Sequence, residues 1–244
     1  MCMEGYEEKS EGNILKFENL KLDADYRKFR LSKLNTPEFS HLWLLLYWPL
    51  YGVIFTAYER VINLEFRPVR SFIDDMIPFC EYFVIPYYFW FLFLIGMLVY
   101  SALYSIDTYK RYMWFIILTY SITLVIYFFF PTSQELRPVE FERDNIFTKI
   151  VSILYGYDTN TNVCPSIHVI GSIAVLFSAW NDKHLSTTGW RIAFLITTVL
   201  ICASTVFLKQ HSIIDVFAGI ALSFVCYPLI FGKKSLVSAK VNTD

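Results

Sequence analysis

Lys209, His211 and Asp215 crowd together where one apolar run of this 244-residue chain ends and the next begins. Charge placed in hydrocarbon is expensive, so ionisable groups at such a position are paired or functional. A helix starting near His211 sets Asp215 one turn further along the same face, at i+4. A carboxylate there holds one imidazole nitrogen and leaves the other free to attack, which is half of a nucleophile–orienter pair. The same residues also read as an interfacial polar cluster that caps a helix. Taken by themselves they leave both readings open.

Two other stretches carry residues of matching chemistry. Arg137-Pro138 follows Phe130-Pro131, where an apolar run stops, and Cys164-Pro165-Ser166-Ile167-His168 opens another. A phosphate ester needs its anionic oxygens neutralised, and a planar guanidinium such as that of Arg137 donates to them in a fork. Ser166 stands at a helix start, where backbone amides and the helix dipole favour an anion. Expelling an alkoxide needs an acid, and His168 suits that role near neutral pH. Each residue alone has a plainer reading. Arg137 is an interfacial anchor, Ser166 an N-cap, His168 a polar residue at headgroup depth, Ser204 a small packing residue and Lys209 a snorkelling cation. Their joint appearance, in order, singles them out.

The elements that must position these residues are membrane helices. The chain is 55% hydrophobic and 19% aromatic, with a formal net charge of −1. That composition points to a single membrane-embedded unit and gives no support to nucleic-acid binding. The first forty residues are charged, so no signal peptide is expected before the first span. Within them, 19–34 read as a basic amphipathic helix on the bilayer surface or as a solvated tail. Apolar spans are expected over 41–58, 79–103, 112–130, 167–180, 190–208 and 212–231, against the roughly 20 residues a bilayer core requires. Pro49 is tolerated as a kink in the first, and Pro86 falls inside the second. The expected fold is therefore all-α: a polytopic six-transmembrane-helix bundle over 41–232, with a polar N-terminal segment 1–40 and a tail 233–244.

Six spans put both termini on one side. Lys and Arg divide fourteen to seven in favour of that side, which makes it cytoplasmic and puts Arg137, Ser166, His168 and His211 at the outer face. His41 and His184 then belong near the inner face, away from the site. Asp74, Asp75 and Glu81 read as solvated loop charges. The cysteines lack metal-ligand spacing; Cys202 and Cys226 read as packing residues, while Cys80 and Cys164 fall on one face and allow a disulfide.

The ordered set resembles the type 2 phosphatidic acid phosphatase superfamily, which carries Lys-x6-Arg-Pro, then Pro-Ser-x-His, then Ser-Arg-x5-His-x3-Asp. Arg137-Pro138, Pro165-Ser166-Ile167-His168 and Ser204-x6-His211-x3-Asp215 match in order and spacing. The resemblance implies that His211 is the nucleophile of a phosphohistidine intermediate, oriented by Asp215. It implies that His168 protonates the leaving oxygen and then activates water, and that Arg137, Ser166 and Ser204 hold phosphate oxygens. No metal or other cofactor is implied. Phe130 stands in the place of the family's first lysine and Thr205 in that of its second arginine, with Lys209 the obvious substitute. Arg60-x6-Arg67-Pro68 repeats the first spacing out of order, which makes Arg67 a further candidate cation.

The expected activity is hydrolysis of a lipid phosphate monoester or diphosphate, phosphatidate-like or polyprenyl, at the outer leaflet of a membrane, the plasma membrane being the first choice. The Lys-Gln-His-x3-Asp-Val form is also similar to inositol-phosphotransferase relatives, in which a lipid alcohol replaces water as acceptor. A non-catalytic lipid- or partner-binding membrane protein is the third reading.

Overall fold

The computed structural model describes residues 20–60 and 65–232. The tail 233–244 and residues 1–19 of the N-terminal segment, Cys2 among them, lie outside them. The described chain is mostly helical. In order it forms α1 (Tyr47–Arg60), β1 (Arg67–Pro68), α2 (Phe72–Met76), α3 (Val84–Tyr104), α4 (Ile106–Phe129), β2 (Thr132–Ser133), α5 (Ile146–Tyr157), α6 (Ile167–Asn181), α7 (Thr188–Phe207) and α8 (Ile213–Phe231).

Four helices are long and apolar enough to cross a membrane: α3 with the short turn before it, α4, α7 and α8. Their outward faces carry Phe89, Leu92 and Ile95 on α3, Ile192, Ile196 and Val199 on α7, and Phe217, Phe224 and Val225 on α8, all exposed. Contiguous apolar surface of this extent fits lipid rather than water. Of the six expected spans, these four have the length and apolar character of a membrane crossing. α6 has 15 residues and α1 has 14, each short of the bilayer requirement. A 3-10 run over Ser40–Leu46 leads into α1.

The shortness of α6 has a packing reason. From His168 to Ala179 every residue is buried, enclosed by α3, α4, α7 and α8. A helix surrounded by helices meets no lipid, and small side chains such as Gly171, Ser172, Ala174 and Ala179 let its neighbours approach closely. The approach to α8 is close as well. A Cβ added at Gly219 would sit 3.1 Å from the Ser166 carbonyl oxygen and 3.2 Å from Val169 Cβ. Gly219→Leu should therefore force α6 and α8 apart and cost about 2 kcal/mol by overpacking. The thermal midpoint of detergent-purified protein would report it, and an unchanged midpoint would show that the helices give way easily.

Several local expectations are also revised. Pro49 and Pro86 lie in the first turns of α1 and α3, where an absent N–H breaks no helical bond, so neither kinks a span. Residues 20–34 form two short 3-10 turns, Tyr26–Lys28 and Leu31–Lys33, instead of an amphipathic helix. Tyr26 ties this segment to the α3–α4 corner by donating to the Ala102 carbonyl, and the Asp23 carboxylate accepts from Ile106 N–H at 2.9 Å. The expected loop between α4 and α6 contains α5. Its N-terminus is set by an Asn145–Thr148 capping box, and Val151 and Leu154 pack inward. Cys80 and Cys164 are both free thiols.

Candidate active site

Tertiary structure gathers three segments at one end of the bundle: the turn between α7 and α8, the start of α6, and the strap that leaves α4. His211 occupies the turn, and its Nδ1 lies 3.3 Å from Asp215 Oδ2 in the first turn of α8. The same carboxylate oxygen accepts from Ser212 N–H at 2.9 Å, closing a capping box, so Asp215 is fixed before it meets the imidazole. In the tautomer that carries its proton on Nδ1, His211 donates to Asp215 and keeps Nε2 as a lone-pair nitrogen.

His168 lies one residue inside α6. Its ring centroid is 5.6 Å from that of His211, with the rings inclined at 63°. Tyr87 and Trp90 of α3 pack against it with tilted rings, centroids 4.6 and 4.4 Å away. The Pro165–His168 corner is held from two sides. Tyr127 and Tyr120, two turns apart on α4, donate to the carbonyls of Pro165 (2.7 Å) and Ile167 (3.2 Å). Ser166 N–H donates to the Asp215 carbonyl at 3.1 Å, joining the two helix starts directly. The Ser166 hydroxyl is fully buried and has no partner, and His168 Nδ1 is also buried without one.

A narrow cleft of about 20 Å³ is lined by His168, His211, Gln210, Asp158, Asn162 and Thr161, among others. Arg137 lies just behind this wall. Its guanidinium covers the Tyr155 ring at 4.4 Å and donates to the Tyr155 carbonyl (3.2 Å), the Asp158 carbonyl (2.7 Å) and Gln210 Oε1, while buried Nε is unpartnered. Burial lowers the pKa of Arg137, opposed by the Asp158 carboxylate. Cys164, beside the cleft, is no competing nucleophile. Burial first, then Asp215, pushes its thiol up to about 12, so it stays protonated at neutral pH.

The remaining sequence candidates sit differently. Ser204 is buried beneath the turn and donates to the Ile201 carbonyl at 2.6 Å. Lys209, in a left-handed conformation at φ 53°, directs its ammonium to the carbonyls of Asp74 (2.7 Å) and Ile77. Arg67 lies on an exposed strand that pairs in parallel with Thr132–Ser133. His41 is far from the cleft, bound to Tyr26 at 2.9 Å beside the α3–α4 corner.

Two carboxylates read as solvated are fully buried, which corrects that expectation. Asp74 accepts from Ser212 Oγ (2.6 Å), Ile213 N–H (2.8 Å) and Ser71 N–H (2.7 Å), so α2 clamps the start of α8. Glu81 accepts from Asn145 Nδ2 at 2.9 Å and pairs with Arg143 at 3.0 Å, fastening α5 to α3. Sequence reasoning also missed Asp158, Asn162 and Gln210. Asp158 accepts from the Tyr87 hydroxyl and from Gln210 Nε2 at 3.2 Å. The signal available for Asp74 was its place in the Ser71-x2-Asp74 capping box; no local pattern marks the other three.

No protein-family model, curated protein or solved structure matches the chain.

Proposed function

We propose that this protein is a membrane phosphatase that cleaves a lipid phosphate monoester or diphosphate through a phosphohistidine on His211, as the resemblance to the type 2 phosphatidic acid phosphatase superfamily implies. The observation that carries this reading is the pair of imidazoles 5.6 Å apart, one of them backed by a buried carboxylate at 3.3 Å. In the proposed cycle Nε2 of neutral His211 attacks phosphorus, the N–P bond forms and the bond from phosphorus to the lipid oxygen breaks. Burial pushes the pKa of the His168 imidazole down to about 4; the anionic phosphate of the substrate favours its protonated form, and His168 then gives its proton to that leaving oxygen. Water then attacks the phosphohistidine, His168 takes the water proton, the N–P bond breaks and inorganic phosphate departs.

Arg137 and Ser166 are the proposed phosphate ligands nearest the cleft, through the unpartnered Nε and hydroxyl that each now buries. Engagement of Lys209 with two carbonyls argues for a smaller part in phosphate binding than its position in the sequence implies. A lipid substrate suits the setting, because the cleft opens at the end of helices whose flanks are apolar. The excess of Lys and Arg on the terminal side supports an outer-leaflet site with cytoplasmic termini.

Release of inorganic phosphate from a panel of lipid phosphates by detergent-purified protein, with no divalent metal and no acceptor alcohol added, is the direct test. Product that appears only when a lipid alcohol is supplied identifies headgroup transfer instead. No product under either condition favours the non-catalytic reading. Arg137→Lys keeps the charge but loses the planar fork that reaches two carbonyls and Gln210 together. It should lower kcat/KM at least about tenfold, the equivalent of one charge-assisted hydrogen bond. Activity equal to wild type would remove Arg137 from the site.

A further inference from the structure

Asn162 is a cleft residue for which the proposed chemistry has no use. The residue is only 4% exposed, and neither Oδ1 nor Nδ2 has a partner. It lines the same cleft as both imidazoles. A primary amide carries two donors and an acceptor, and leaving a buried polar group unmet costs about 1–3 kcal/mol. Folded proteins keep few such groups, and each calls for a reason.

The backbone around Asn162 is specified closely. Its φ is 54°, in the left-handed region that Asn tolerates better than most residues. Asn162 N–H donates to the Thr132 carbonyl at 2.6 Å, and the next two amides, of Val163 and Cys164, donate to Thr132 Oγ1 at 3.2 and 3.1 Å. Thr161 bridges to Ser133. The strap leaving α4 thus holds the residue in place, and its amide is not turned out to water. Gln210, the other amide on the cleft wall, is occupied at both ends, by Arg137 and Asp158.

The surroundings specify the ligand class. The two imidazoles line the same cleft as the open amide, and the start of α6, where the Ser166 hydroxyl is unpartnered, adjoins it. A ligand that satisfies several donors arriving from different directions is a tetrahedral oxyanion. We propose that Asn162 is a phosphate-binding residue, its Nδ2 donating to a non-bridging oxygen of the phosphoryl group. This deepens the phosphatase reading and rests on it for the identity of the anion as part of a substrate.

Two variants test it without disturbing the backbone. Asn162→Gly keeps the left-handed conformation and removes the amide. Asn162→Asp keeps the shape and sets a carboxylate against the anion. The probe is inorganic phosphate, titrated calorimetrically into the full chain in detergent, beside a thermal melt of each variant and phosphate release from a lipid phosphate. Asn162→Gly should weaken phosphate binding at least about tenfold and Asn162→Asp further still, with thermal midpoints near that of wild type.

Wild-type affinity in both variants overturns the proposal, as does a wild-type protein that binds no phosphate. Loss of binding that accompanies loss of fold in both variants assigns Asn162 a structural role and overturns it too. His211→Ala separates the two ideas. If it turns over normally while the Asn162 variants lose phosphate, the phosphohistidine fails and the Asn162 site stands. If it is inactive while the Asn162 variants bind normally, the reverse holds.

Discussion

On the proposed mechanism His211→Ala should abolish phosphate release, by at least about a thousandfold, because it removes the nucleophile. Cys164, one residue from the cleft wall, is held as a neutral thiol. Wild-type protein quenched during turnover of a labelled lipid phosphate should carry label that is acid-labile and stable to base, as a phosphoramidate is. The alanine variant should carry none. His168→Ala should slow turnover by about a hundredfold or more, the usual weight of a general acid, while still permitting label on His211. Asp215 belongs to the same unit, so losses at the three positions should not add. Normal activity in His211→Ala would end the phosphohistidine reading outright.

Asp74→Ala should be among the most destabilising single changes in the described chain. Removing the carboxylate strands three donors: Ser212 Oγ, Ile213 N–H and Ser71 N–H. At roughly 1–3 kcal/mol for each buried group left unmet, the loss comes to about 4 kcal/mol once partial relaxation is allowed. For a chain of this size that corresponds to a fall of about 10 °C in the thermal midpoint. Asp74→Asn keeps one acceptor oxygen and should fall between alanine and wild type. The effect reaches the site because Ser212 follows His211 directly and caps α8. An alanine variant as stable as wild type would show that α2 is not what holds this turn.

Lys209 makes the link between stability and site concrete. Its ammonium bonds the carbonyls of Asp74 and Ile77 and thereby ties α2 to the residue two before His211. Burial lowers its pKa, while Asp74 and Asp75 oppose that shift. The sequence offered Lys209 as a replacement for missing phosphate-binding cations. Its geometry favours fastening the turn.

Much of the frame was legible in advance. The bounds expected for the helix at 167–180 fall within a residue of α6, and those at 190–208 and 212–231 within two residues of α7 and α8. Long apolar runs bounded by Ser, Pro and Gly leave little freedom in where a helix starts and stops. The i+4 spacing of His211 and Asp215 fixed their contact as soon as that turn became helical, since neighbours on one helix face meet whatever surrounds them. By contrast, α5 was hidden inside a loop because its amphipathic pattern is short and its buried face is matched to α3, not to itself.

The sequence alone therefore determined apolar helices, a histidine with its carboxylate one turn away, and the order in which the polar segments occur. These depend on local spacing and on hydrophobic runs, which act within a few residues of chain. Tertiary structure decided which helix is enclosed and which present apolar faces outward, that Asp74 and Glu81 are buried struts, that Lys209 turns toward α2, and that Asn162 meets the cleft with both amide atoms open. Such facts belong to contacts between segments far apart in the chain, where burial and hydrogen-bond partners are set by the neighbours that folding supplies.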